Sequence, residues 1–97
     1  MIINWKIIRV MAKKFLIENW MTADLGLSGN ELVAFAFMWS ESKQGVEEYD
    51  GGYTELAAAM GVTIPTTYNV LRKLADKGMV EFGGVRDGIR VIGRRVA

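Results

Sequence analysis

The chain has 97 residues, of which about half are apolar, and a formal net charge of +1, values typical of one small folded domain. It contains neither cysteine nor histidine, which excludes a disulfide framework, a thiolate metal site and the commonest general base. Its longest dense apolar segment, ELVAFAFMW, is far shorter than the roughly 20 residues that span a bilayer, and MIINWKIIRV lacks a secretory cleavage pattern. We therefore expect a cytoplasmic protein with no membrane association, cofactor, metal ion or small-molecule ligand.

The charge is unevenly distributed along the chain. Residues 1–20 carry a net +3, residues 21–60 a net −6, and residues 61–97 a net +4 from seven basic and three acidic side chains. A local basic surface attracts polyanions even when the whole molecule is nearly neutral. The alternative is ordinary charge on a solvated surface, and the charge pattern alone does not favour either.

The first twenty residues allow two interpretations. Apolar residues recur at helical spacing between Ile7 and Phe15, yet FLIENW also has the composition of a short extended segment. Met11 offers a second start of translation, in which case residues 1–10 lie upstream of the protein. We expect residues 1–14 to be an N-terminal extension, helical or partly ordered, and residues 15–97 to form the domain. Four apolar residues of the extension could pair two copies as a homodimer, or fold back on the core: Trp5, Ile7, Ile8 and Met11.

The first clear helix signal is LSGNEL. Ser28 and Glu31 have the spacing of a capping box, in which each side chain accepts a hydrogen bond from the other residue's backbone amide. The predicted helix runs through ELVAFAFMWSESKQ and ends at Gly45. Its middle is apolar on all sides, which favours a place in the core over a cofactor-binding role. The acidic segment GVEEYDGG that follows, with its glycines, predicts a surface loop. It lacks the ligand spacing of a calcium loop.

Two further helices are predicted around Gly61. The earlier one covers YTELAAAM and has an apolar face at helical spacing. Gly61 can end it with a positive φ. Thr63 has the position of an N-cap for the next helix, which runs to Lys77 and ends at Gly78. Two helices joined by about three residues, with a glycine in the turn, form a helix-turn-helix.

The third predicted helix separates apolar and polar residues well. At about 100° per residue, the residues expected to pack inward gather on one side: Thr67, Val70, Leu71 and Leu74. On the polar side, Asn69 and Arg72 have side chains that make bidentate contacts with base edges, whereas hydroxyl, phenol and ammonium groups reach phosphates. The candidate DNA-binding residues here are Thr63, Thr66, Tyr68, Asn69, Arg72 and Lys73. A solvent-facing polar side of an amphipathic helix would show the same pattern.

The final segment, MVEFGGVRDGIRVIGRR, contains two short β-rich runs around Asp87 and Gly88. Asp-Gly between such runs predicts a hairpin with a two-residue turn, because both turn positions need positive φ. Four arginines give the hairpin a basic character and are candidate phosphate contacts: Arg86, Arg90, Arg94 and Arg95. Helix, helix-turn-helix and hairpin in this order predict a mainly α protein with a small β-hairpin (α+β), a winged helix-turn-helix.

Several segments resemble one family of proteins. They are NWM (19–21), LGLSGNELVAFAF (25–37), YDGG (49–52) and ELAAAMGVTIPTTYNVLRKLADKGMV (55–80). Because of these segments, residues 15–77 resemble the N-terminal winged-helix domain of replication initiators, or replisome organisers, of phages, plasmids and conjugative elements. The helix-turn-helix part alone also resembles many bacterial regulators. Gly52 stands where the family usually has serine, and Ile64 and Pro65 stand where it tends to have basic residues, so we expect limited base contact.

We therefore expect a non-enzymatic DNA-binding protein of a mobile genetic element, acting in replication initiation or transcription regulation. The third predicted helix would enter the major groove of double-stranded DNA, with the basic hairpin wing on the phosphate backbone. The alternative is a winged-helix protein–protein interaction module without significant DNA binding. Catalysis is not expected, since no spacing of carboxylates, lysines or hydroxyls suggests a catalytic pair.

Overall fold

The computed structural model describes residues 15–82 and 88–92. The elements in these two ranges are α1 (Asn19–Ala23), α2 (Gly29–Glu41), α3 (Gly52–Met60), α4 (Ile64–Asp76), β1 (Val80–Phe82) and β2 (Ile89–Val91). The protein is thus mainly helical with a small antiparallel sheet, which confirms the predicted α+β class. Helices α2, α3 and α4 correspond to the three predicted helices. The predicted N-terminal extension and its homodimer contacts lie outside the described residues.

Helix α2 forms the centre of the core, as predicted. Residues 34–38 are all buried, and each remaining element contributes at least one buried side chain. Representatives of the six elements in this single core cluster are Met21, Phe35, Leu56, Leu71, Val80 and Ile89. None of the helices within the described ranges has the length and apolar character needed to cross a lipid bilayer.

The two ends of α2 differ from the sequence prediction. Ser28 is the N-cap residue, but its side chain makes no capping hydrogen bond, so the predicted capping box is wrong. Gly29, the first residue of the helix, adopts a φ of 57°. Glu31 instead accepts a hydrogen bond of 2.6 Å from the Lys77 ammonium at the end of α4.

Helix α2 also ends at Glu41 rather than continuing to Gln44. Buried Ser42 closes the helix, because its hydroxyl donates to the Trp39 carbonyl at 3.2 Å and accepts from the Gly45 amide at 3.1 Å. The chain then turns sharply, with Lys43 and Gln44 at positive φ. A local hydroxyl bond of this kind competes with continued helix, and it accounts for the early end.

The turn between α3 and α4 follows the sequence prediction closely. Gly61 takes the left-handed conformation with a φ of 72°, and the Val62 amide donates to the Ala57 carbonyl at 3.1 Å. The Thr63 hydroxyl caps α4 by accepting from the Thr66 amide at 3.3 Å. The four residues predicted to pack inward are the buried residues of α4: Thr67, Val70, Leu71 and Leu74. The direction of α4 is therefore set by its cap and by burial of one face.

The two candidate caps provide a test of these helix starts. We expect Thr63→Ala to lower the free energy of unfolding by about 1 kcal/mol, because it removes a side-chain acceptor for a first-turn amide. Ser28→Ala removes no such bond, so its effect should stay within about 0.5 kcal/mol. Urea unfolding followed by circular dichroism measures both. Equal losses in the two variants would contradict the difference between these caps.

The sheet corrects the predicted hairpin turn. Strands β1 and β2 are antiparallel, with Val80 opposite Val91, Glu81 opposite Arg90 and Phe82 opposite Ile89. A two-residue turn at Asp87 and Gly88 would place residue 86 opposite Ile89, so that prediction is wrong. The observed register leaves residues 83–88 between the paired ends.

The loop before α3 is mostly exposed, as predicted, except for one residue. Tyr49 is buried, and it pairs with Ile89 through two backbone hydrogen bonds of 2.7 and 2.8 Å. Its hydroxyl donates to the Gly52 carbonyl at 2.8 Å. Burial, followed by nearby carboxylates, raises the pKa of this hydroxyl above its ordinary value. The segment predicted as a surface loop therefore lies in part along the free side of β2 and attaches the sheet to the helices.

Candidate nucleic-acid interface

The exposed face of α4 carries four of the predicted contact residues. Tyr68, Asn69, Arg72 and Lys73 are all exposed, because each lies away from the buried Val70 and Leu74 side of the helix. Tyr68 and Arg72 are one turn apart, with the Arg72 Cζ 6.0 Å from the centre of the Tyr68 ring. Asn69 and Lys73 form a parallel row one residue further around the helix. This face therefore offers a phenol, an amide, a guanidinium and an ammonium group side by side.

Two threonines lie at the start of the same helix. Thr63 donates its hydroxyl hydrogen to the Thr66 hydroxyl at 3.1 Å and also accepts from the Thr66 amide. Its hydrogen-bonding capacity is thus largely used within the cap. Thr66 is half-buried and is the better placed of the two to donate to an outside acceptor such as a phosphate.

The predicted hairpin arginines are described only in part. Arg90 is exposed on β2 and lies 3.6 Å from the Glu81 carboxylate on β1. Exposed ion pairs of this kind are weak and exchange with solvent ions. Glu81 therefore reduces, without cancelling, the attraction of Arg90 for a phosphate. The remaining predicted phosphate contacts lie outside the described residues: Arg86, Arg94 and Arg95.

Three of the five basic side chains in the described ranges, Arg72, Lys73 and Lys77, lie on α4 or at its end. Lys77 is held by Glu31 across the α2–α4 junction, so it serves mainly to join two helices. Arg72 and Lys73 are the exposed basic residues in the middle of α4, with Asp76 one turn further along. We therefore expect the part of the face near Lys73 to attract a phosphate most strongly, and the part near Asp76 to attract a hydrogen-bond donor.

A groove between α4 and β1 was missed by the sequence prediction. It has a volume of about 290 Å³ and is lined by Tyr68, Arg72, Ala75, Asp76 and Phe82. Phe82 is 45% exposed although it shares a face of β1 with buried Val80. Alternation along VEF predicts that Phe82 is buried as well, so no signal in the sequence identifies it as a surface residue.

A larger hollow of about 380 Å³ lies elsewhere, between residues 15–18 and the end of α2. It contains none of the predicted DNA-binding residues. Within residues 15–82 and 88–92, no three histidine, cysteine, aspartate or glutamate side chains are placed to hold a metal ion.

Comparisons of the chain with protein-family models, with curated proteins and with solved structures each found no match.

Proposed function

We propose that this chain is a winged helix-turn-helix protein that binds double-stranded DNA without catalysis. The observation that supports the proposal best is the exposed face of α4, which begins at a capped turn and carries Tyr68, Asn69, Arg72 and Lys73. A helix of 13 residues with one buried and one polar face can lie in the major groove while its other side packs on the domain. The resemblance to replication initiators further supports a role in a mobile genetic element, in replication initiation or transcription regulation, in the cytoplasm.

The proposed binding mode divides the contacts between helix and wing. Asn69 and Arg72 contact base edges in the major groove, and Thr66, Tyr68 and Lys73 contact phosphates beside it. The antiparallel strands form the wing, where Arg90 contacts the backbone together with Arg86, Arg94 and Arg95. The pairing of Tyr49 with Ile89 supports this mode, because it attaches β2 to the helical core and limits movement of the wing relative to α4.

Titration of a short labelled duplex at low and high salt tests the proposal. We expect a dissociation constant in the micromolar range typical of non-specific binding, with affinity falling as salt rises because bound phosphates release counterions. Lys43→Ala serves as a control, since Lys43 is exposed after α2 and pairs with Glu47, outside the proposed interface. If no duplex binds even at low salt, the DNA-binding proposal is wrong.

The Arg90–Glu81 pair gives a prediction with two opposite signs. Arg90→Ala should weaken binding by a similar factor on all duplexes and reduce the slope of log affinity against log salt by about one. Glu81→Gln should strengthen binding, because it removes a negative charge 3.6 Å from the proposed phosphate contact. Fluorescence anisotropy at several salt concentrations measures both. Unchanged affinity in the two variants would remove β1 and β2 from the interface.

A second candidate function is a winged-helix protein–protein interaction module without significant DNA binding. Ile64 and Tyr68 lie one turn apart on α4 and are 42% and 43% exposed, which gives the front of the helix an apolar edge. Large apolar side chains at an exposed helix face are typical of protein contacts. This candidate replaces the first if the duplex titration shows no binding.

A further inference from the structure

The groove between α4 and β1 has aromatic walls contributed by two different elements. Tyr68 from α4 and Phe82 from β1 are 43% and 45% exposed, although large aromatic side chains are usually more buried than this. The centre of the Tyr68 ring lies 6.3 Å from the centre of the Tyr53 ring. The Arg72 Cζ lies 6.0 Å from the centre of the Tyr68 ring. Exposed aromatic rings stack on any of the nucleobases. The two side chains are therefore suited to bind a flat aromatic ligand.

The polar groups of the groove distinguish a base from an apolar side chain. Arg72 and Asp76 lie one turn apart and both line the groove. A guanidinium donates to ring nitrogens and carbonyl oxygens, whereas a carboxylate accepts from an exocyclic amino group such as the N4 of cytosine. A base with both kinds of atom on its edge satisfies the two side chains together. An apolar side chain in the same place would desolvate them without providing partners.

A base inside a duplex cannot enter such a groove, because its faces are covered by stacked neighbours and its pairing edge is occupied. The groove volume of about 290 Å³ is sufficient for one base. We propose that this groove holds a single unpaired nucleobase, with Tyr68 and Phe82 stacking on it and Asp76 favouring one that carries an amino group. The inference rests on the proposed DNA-binding function and extends it to locally unpaired DNA, on which Tyr68 and Arg72 contact the unpaired base instead of the phosphate and base edge proposed for them on paired DNA.

The test compares two labelled duplexes that differ only in one bulged cytosine. We expect the full-length protein to bind the bulged duplex about tenfold more tightly than the fully paired one. Phe82→Leu should abolish this preference while leaving affinity for the paired duplex nearly unchanged, because leucine preserves apolar contact without a stacking face. Asp76→Asn should reduce the preference for a bulged cytosine over a bulged thymine. Leu16→Ala is the control, since Leu16 is exposed and apolar but does not line the groove.

The outcomes separate this inference from the DNA-binding proposal. Equal affinity for the paired and bulged duplexes would overturn the inference, leave duplex binding intact and assign the aromatic groove to a protein partner. A preference that survives in both Phe82→Leu and Tyr68→Leu would also overturn it, because the unpaired base would then bind elsewhere. Absence of binding to either duplex would reject the DNA-binding proposal together with the inference. Circular dichroism of each variant verifies that it is folded.

Discussion

Replacing Leu71 with alanine is expected to lower the free energy of unfolding by about 2–5 kcal/mol. Leu71 is fully buried in the middle of α4, within the core that includes α2 and β2. Removing its side chain takes away buried apolar contacts and leaves a cavity that the neighbouring helices can fill only in part. Because small domains are stable by only about 5–15 kcal/mol, the variant should melt at a much lower temperature. Thermal unfolding by circular dichroism measures the shift.

The control for this experiment is Asn69→Ala, two residues away on the exposed side of the same helix. Its effect on stability should stay within about 0.5 kcal/mol, as for most surface substitutions. Similar melting temperatures for Leu71→Ala and Asn69→Ala would mean that α4 does not pack through the Leu71 face. The orientation of the proposed contact residues would then be wrong as well.

The second large effect is expected in DNA recognition. Asn69→Ala and Arg72→Ala each remove a side chain proposed to contact base edges, and each should cost about 1–3 kcal/mol of binding free energy on a preferred site. The loss should be smaller on a scrambled duplex, since base contacts contribute little to non-specific binding. A preferred site is first obtained by selection from random duplexes. Binding curves on the selected and scrambled sites then measure the difference.

Lys73→Ala is the matched variant, because Lys73 lies beside Asn69 on α4 but is proposed to contact a phosphate. It should weaken binding by a similar factor on both duplexes. If Asn69→Ala and Arg72→Ala bind like the parent protein on both duplexes, α4 does not contact bases. Any duplex binding would then depend on the β1–β2 sheet.

Local signals in the sequence were sufficient to predict much of the structure of α3 and α4. Gly61 was predicted to take a positive φ, Thr63 to cap α4, and Leu71 to pack inward, and all three predictions are confirmed. These features depend on short-range steric effects and on helical periodicity, which a single sequence reveals. The polar face of α4 follows from the same periodicity, whereas its contact with DNA stays a prediction.

The features that were predicted wrongly depend on contacts between distant segments. Glu31 binds Lys77 rather than the Ser28 amide. The pairing of Tyr49 with Ile89, which was not predicted, likewise joins segments far apart in the chain. The register of β1 and β2 pairs Phe82 with Ile89 and differs from the one that the local Asp-Gly signal predicts. The partial exposure of Phe82, and hence the aromatic groove, depends on where β1 ends relative to α4, a relation that periodicity along one strand cannot show.

The pairing of Tyr49 with Ile89 has a consequence for the order of folding. These residues are forty positions apart, and their hydrogen bonds form only after α3, α4 and β1 have brought the chain back on itself. Contacts of such sequence separation form more slowly than the local hydrogen bonds within a helix. The helices should therefore gain protection against amide hydrogen exchange before Tyr49 and Ile89 do during refolding. During synthesis the helices α1–α4 leave the ribosome before β2, so the backbone of Tyr49 has no strand partner until Ile89 follows.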